Sequence, residues 1–210
     1  MLGRVIEKVT GKSYVAYVTR DLLAPLGIKS VELGRSLPRD RNAREPNYVD
    51  PNRSRNLVRP DGRGPVALPD GGFYLEAMDS HGGLIASAPD LVRFASAFNE
   101  PRRCKILKPR SIALMFARPP GAAGKTKNGK PRDAYYACGW EVRPIGDAGV
   151  ANTWHGGSLD GTSTLLVRRH DGLTWAVLFN SRDGAGKDEP AGAIDALVHE
   201  AADAVKNWPR

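Results

Sequence analysis

No stretch of this sequence approaches the roughly 18 consecutive apolar residues that a membrane-spanning helix needs, so no helical span is expected within residues 1–210. The first residues, Met1-Leu2-Gly3-Arg4, do not open a signal peptide, because Arg4, Glu7 and Lys8 interrupt any apolar core. Nothing in the chain directs export. The location is left open: periplasmic or extracellular if a longer parent carries a signal peptide, otherwise cytoplasmic. Cysteine is scarce. Cys104 and Cys138 could pair in an oxidising compartment or stay reduced. The four histidines are scattered and no Cys/His spacing resembles a zinc site, so no metal is expected. No cofactor is expected either. Pro119-Pro120-Gly121-Ala122-Ala123-Gly124-Lys125-Thr126 ends like a phosphate-binding loop, but Pro119 replaces the first glycine of that pattern. A helix precedes the stretch, and no helix N-terminus follows to hold a phosphate.

Aromatic residues are also thin, at 7%, and this bears on the one charge that is in excess. The net charge is +8, with arginines gathered between Arg35 and Arg63. A nucleic-acid surface would interleave aromatic rings with such arginines, but only Tyr48 does so, while Asp40, Glu45, Asp50 and Asp61 dilute the charge. The stretch 35–75 reads as a solvated basic loop running over the surface, and no nucleic acid is expected as a partner.

What the chain does have is pattern. With 210 residues, 41% of them hydrophobic, it can bury a core. Leu2, Val5, Ile6 and Val9 share one helical face, read as a core face, with Gly11 as the stop. Ser13 can cap a second helix carrying Tyr14, Tyr17, Val18 and Leu22, ended by Pro25. Ser87 can cap a third, with Pro89 in its first turn and Leu91, Phe94, Ala95 and Phe98 inward; a short helix runs from Arg110 to Phe116. From Ala134 the period changes. Residues 136–142, 150–155, 162–169 and 174–180 are β-rich runs parted by glycine turns. Ile194, Leu197, Val198, Ala201, Val205 and Trp208 form an apolar stripe on a last helix, 190–208. The expected fold is α+β: an antiparallel sheet covered by a C-terminal helix, plus a helical part. The expected organisation is one domain over 1–210, with 1–133 mainly helix and loop and 134–210 sheet and terminal helix.

One run gathers residue types that suit a site: Trp154-His155-Gly156-Gly157-Ser158-Leu159-Asp160-Gly161-Thr162-Ser163. Imidazole exchanges a proton near neutral pH. The glycines would interrupt the strand and let a ligand approach the backbone. His81-Gly82-Gly83 repeats the triplet but lies before a helix, and His81 is read as structural.

The order of several segments resembles the serine hydrolases of the penicillin-recognising group: class C β-lactamases, D-alanyl-D-alanine carboxypeptidases and related esterases. Residues Leu2 to Tyr14 look like the segment after that family's Tyr-x-Asn motif, and Pro25-Leu26-Gly27-Ile28 resembles its Pro-Leu-Gly-Met turn. Gly82-Gly83-Leu84-Ile85-Ala86-Ser87-Ala88-Pro89-Asp90-Leu91 is similar to its Gly-Gly-Leu helix start. Gly139-Trp140, His155-Gly156-Gly157 and Asn180 fall where its Gly-Trp strand, third catalytic motif and last strand end do. The resemblance implies an acyl-transfer site. His155 would stand for the third-motif Lys or His, polarising the proton network or holding a substrate carboxylate. The Ser158 backbone N–H would be an oxyanion donor. Gly156, Gly157 and Thr162 would meet substrate.

The family's nucleophile and base are not in this sequence. No serine has Lys three residues on, and no tyrosine has Asn two residues on. No residue here is assigned as nucleophile, and a missing N-terminal segment is the expected supplier. The expected function is therefore a β-lactamase-related serine hydrolase acting on a lactam, a D-Ala peptide or an ester, present as a fragment inactive alone. Its partners would be a small-molecule or peptidoglycan-like substrate. The alternative is a non-catalytic module binding peptidoglycan or a protein partner.

Overall fold

The computed structural model describes residues 1–59, 61, 64–146, 149–182 and 189–208. Helix α1 (Leu2–Thr10) and the single turn α2 (Tyr14–Ala16) come first. The short strands β1 (Glu32–Leu33), β2 (Arg53–Ser54), β3 (Val66–Ala67) and β4 (Leu84–Ile85) follow. Then come α3 (Ala88–Ser96) and α4 (Pro109–Phe116). The C-terminal part holds β5 (Tyr135–Tyr136), β6 (Glu141–Ile145), β7 (Val150–Leu159), β8 (Thr162–Arg168), β9 (Thr174–Phe179) and α5 (Pro190–Ala204). The last five strands form one sheet in the order β5-β6-β7-β8-β9. β5–β6 and β6–β7 pair antiparallel. The β7–β8 and β8–β9 connections are far too short for a parallel crossover, so the whole sheet is antiparallel, as its alternating runs predict. The mixed helical and antiparallel fold class is borne out.

The chain divides into two compact units. The first comprises Met1–Leu33, Met78–His155 and Leu166–Ala176. Its core is Ala95, Phe98, Ile112, Tyr135, Trp140 and Val142. Trp140 lies 6.4 Å from the Phe94 ring, stacked, and 6.3 Å from Phe98, edge-on. α3 begins where its sequence says: Ser87 and Asp90 form a reciprocal capping box, and Pro89 sits in the first turn, where a missing N–H costs nothing. Ser13 likewise accepts from the Ala16 N–H at 3.3 Å. That second helix does not stop at Pro25. It widens to π-helical turns over Tyr17–Leu23, tightens to a 3-10 turn over Ala24–Leu26, and ends at Gly27 with φ 75°. Pro25 is tolerated because it opens a new turn.

α1 departs from its period. Leu2, Val5 and Val9 are exposed, not core. The side that packs is the opposite one. Gly3 is buried so close to Ser80 that an added Cβ would lie 2.6 Å from the Ser80 Cβ. Arg4 pairs with Asp79, and the Glu7 carboxylate accepts from the Tyr14 N–H at 2.8 Å. A small residue and two polar anchors on one face have turned the aliphatic stripe outward.

The second unit comprises Gly34–Ala77, Gly156–Leu165 and Val177–Arg210. Its first segment is better ordered than a solvated loop. β2 pairs with β3, and Arg41 is almost wholly enclosed, bonded to Asp70 at 3.0 Å and lying 5.1 Å from the centre of the Tyr48 ring. Ordinary solvation of the arginines fails as a description at Arg41. α5 joins this unit at its first turn, where the Ala191 N–H donates to the buried Ser163 Oγ at 3.2 Å. The helix ends at Ala204, earlier than its pattern suggests, because Val205 adopts extended backbone. Leu197, Val205 and Trp208 of the expected stripe are exposed.

Candidate functional site

β7 carries the candidate residues, and it does so without a break. The strand runs from Val150 through both glycines to Leu159, so the expected interruption at Gly156-Gly157 is absent. Neither glycine has positive φ, so extended pairing continues through them. The two differ in what surrounds them. A Cβ on Gly157 would sit well inside the van der Waals distance of Thr164 Oγ1 on β8, whereas a Cβ on Gly156 would meet only the Thr164 carbonyl oxygen, at 3.7 Å. Glycine at 157 is favoured by the close Thr164 side chain, and not by a turn. Gly161 is the residue that makes the turn, at φ 83°. Its Cα is covered so closely that an added Cβ would lie 2.9 Å from Pro69 Cγ and 3.0 Å from Tyr48 Cβ. Tyr48 in turn donates to Glu45 at 2.8 Å, and burial together with that carboxylate pushes its phenol well above the usual tyrosine range. The excursion 34–77 thus clamps the β7–β8 turn within the second unit.

His155 is the last residue of the first unit's share of β7, and it is exposed. Its Nε2 is 3.0 Å from the hydroxyl of Tyr136, and the two rings stand edge-on with centres 5.8 Å apart. Tyr136 is opposite Glu141 on β6, and Glu141 is opposite Trp154 on β7. That register puts the Tyr136 and Trp154 side chains on one face and His155 on the other, so the phenol meets the imidazole by reaching round the end of β6, which begins at Glu141.

The second unit's share begins at Gly156. Ser158 is exposed, and its hydroxyl donates to Glu189 Oε1 at 2.5 Å. Arg182 donates to Ser158 Oγ at 3.4 Å and pairs with Asp160. Thr162 opens β8 half-buried, while the neighbouring Ser163 is fully buried on the α5 N-terminus and is structural. Within the first unit an imidazole is held against a phenol; within the second a serine hydroxyl is held between a carboxylate and a guanidinium. Sequence reasoning missed Tyr136, Arg182 and Glu189. Two adjacent tyrosines on one strand were the available signal, because period 2 sends one of them outward. His81 is exposed in the turn before β4, apart from any pattern of the site. Gly124 of the Gly-Lys-Thr stretch is buried against Arg118, with no helix following. Cys104 and Cys138 are both free thiols.

The sequence model of the beta-lactamase family matches residues 1–200. The chain belongs to the beta-lactamase family. Among solved structures, D-amino acid amidase from Ochrobactrum anthropi SV3 is similar over 98% of this chain and 56% of its own, at 22% identity and a TM-score of 0.64. A penicillin-binding protein from Bacillus halodurans matches 96% of this chain and 52% of its own, at 17% identity and a TM-score of 0.67. The D-stereospecific amidohydrolase from a Streptomyces species matches 98% and 52%, at 21% identity and a TM-score of 0.61. These likenesses establish a shared fold. This beta-lactamase-family chain therefore spans about half the length of the structures it resembles. No curated protein sequence matches it significantly. Among the described residues, no helix is long and apolar enough to cross a membrane.

Proposed function

We propose that residues 1–210 are one beta-lactamase-family domain portion, carrying the third-motif strand of a serine hydrolase whose nucleophile and base lie outside this sequence. Membership of the family over residues 1–200 is the observation that carries this reading. The reaction is acyl transfer to a serine hydroxyl. The serine oxygen adds to the carbonyl of a lactam, a D-Ala-terminated peptide or an ester, its proton passing to a lysine of a Ser-x-x-Lys segment. The leaving group departs with a proton, and water then cleaves the acyl ester.

In this division of labour the Ser158 N–H donates to the developing oxyanion, a contact worth about 3 kcal/mol in such sites. The other donor belongs to the nucleophile. His155 polarises the proton network or binds a substrate carboxylate. Gly156, Gly157 and Thr162 line the edge along which substrate lies. The neighbouring amidase and amidohydrolase favour an amide or peptide bond over an ester. The test is covalent labelling by penicillin or a fluorophosphonate. The 210-residue chain should not label, and a protein that joins it to a segment bearing Ser-x-x-Lys and Tyr-x-Asn should. Stoichiometric labelling of the 210-residue chain would overturn the assignment.

A further inference from the structure

The strand that carries Tyr136 is anchored more firmly than its two residues suggest. Tyr135 points inward, is buried, and donates its hydroxyl to the Phe116 carbonyl at 3.0 Å, with the Arg118 guanidinium 4.1 Å above its ring. The turn that follows is tight. The Ala137 N–H donates to the Trp140 carbonyl at 2.7 Å, and Gly139 takes φ 77°. Trp140 then plugs the aromatic core. Tyr136, between these anchors, faces the other way and is about half exposed (51%). An exposed tyrosine contributes little burial energy, so the geometry leaves it another task, the contact with His155 Nε2 at 3.0 Å.

We propose that Tyr136 is a positioning residue for His155. Its hydroxyl donates to Nε2 and holds the neutral imidazole with its proton on Nδ1. A neutral imidazole nitrogen is a better acceptor than a phenolic oxygen, and a phenol is a better donor than a neutral imidazole N–H, so the bond runs from Oη to Nε2. This deepens the reading of His155 as the polarising group of the site and rests on it for its meaning. A serine-hydrolase site would gain a fixed tautomer and a fixed ring plane from a residue that touches no substrate.

The test reads the tautomer directly. The chain is labelled with 15N-histidine, and spectra are taken at about pH 9, well above the ordinary imidazole range, in solution or on the sedimented protein. Loss of one signal set in His155→Gln separates His155 from His81, His170 and His199. The expected wild-type pattern is a protonated Nδ1 with an unprotonated Nε2. In Tyr136→Phe the His155 signals should exchange toward the Nε2-protonated form, the other three histidines staying in place. A protonated Nε2 in the wild type, or an unchanged tautomer in Tyr136→Phe, overturns the proposal. The wild-type spectrum alone can do so if the variant does not fold. Because no substrate is involved, the outcome is independent of the labelling experiment. Failure of labelling in the joined protein would sink the hydrolase reading and leave the tautomer result standing.

Discussion

Replacing Gly157 by alanine, and separately Gly156, tests whether the two glycines of β7 are there for the same reason. A methyl on Gly157 would overlap Thr164 Oγ1, and one on Gly156 would make ordinary contact at 3.7 Å. Forcing a methyl into a filled strand interface costs about 1–3 kcal/mol. Alanine returns about 0.4–1 kcal/mol by narrowing the unfolded ensemble wherever the native backbone suits it, and both positions have that backbone. Gly157→Ala should therefore lose about 1–2 kcal/mol, and Gly156→Ala should gain about half a kcal/mol. For a chain of this size each kcal/mol moves Tm by about 2–4 °C. The overlap is with one side-chain atom, so Thr164→Ala should relieve it. The hydrogen bond that this change removes, Thr164 Oγ1 to the Gly157 carbonyl at 3.4 Å, is long and contributes little. The double variant should then recover about 1 kcal/mol or more relative to the sum of the singles. Urea titrations followed by tryptophan fluorescence supply the four stabilities. Equal costs at 156 and 157, or strict additivity with Thr164→Ala, would show that the close approach is not what requires glycine.

Three further outcomes are expected. Burial pushes the Asp90 carboxyl up, but hydrogen bonds from Ser30 and Ser87, with Arg93 nearby, outweigh it and hold the group below the usual carboxylate range. Its stabilising effect is therefore present above the unfolded pKa of about 3.9 and is lost as pH falls through the lower folded value. Asp90→Asn should cost about 1.5–3 kcal/mol at pH 7 and flatten the stability loss below about pH 4; a parallel shift at every pH would contradict this. Val9→Lys and Leu2→Lys, on the exposed face of α1, should stay within about 0.5 kcal/mol of the parent stability while lowering aggregation measured by light scattering. His155→Ala, placed in a protein that carries the nucleophile segment, should reduce turnover while its far-ultraviolet circular dichroism stays unchanged; unaltered turnover would remove His155 from the chemistry.

The sheet was legible because an antiparallel strand announces itself by period 2 and by the turn that ends it. Along β8 burial does alternate, at Ser163, Leu165 and Val167, although Thr162-Ser163-Thr164-Leu165-Leu166-Val167 does not itself alternate polar with apolar, and there the β-branched content and the Asp160-Gly161 turn were the signal. The Ser87 cap was legible for a similar reason, since a capping box is local and its partners are three residues apart. α1 was misread because the same period-3.6 logic reports only which residues share a face, not which face is covered. At α1 the deciding contacts are Gly3 with Ser80 and Arg4 with Asp79, more than seventy residues away, and no local window contains them. The glycines of β7 were misread in the opposite sense. Glycine ordinarily marks a turn, and only the neighbouring strand, through the Thr164 side chain, favours an extended glycine at 157.

The candidate residues divide along the same line. His155-Gly156-Gly157-Ser158 is contiguous and could be found by motif, whereas Tyr136, Arg182 and Glu189 reach those residues from other elements. A motif identifies which atoms could do chemistry, while their protonation and orientation are set by partners that only the fold supplies. His155 shows the difference. Its imidazole could be an acid, a base or an inert surface ring by sequence alone. The hydroxyl of Tyr136, 3.0 Å from Nε2, is what turns that list into a testable tautomer.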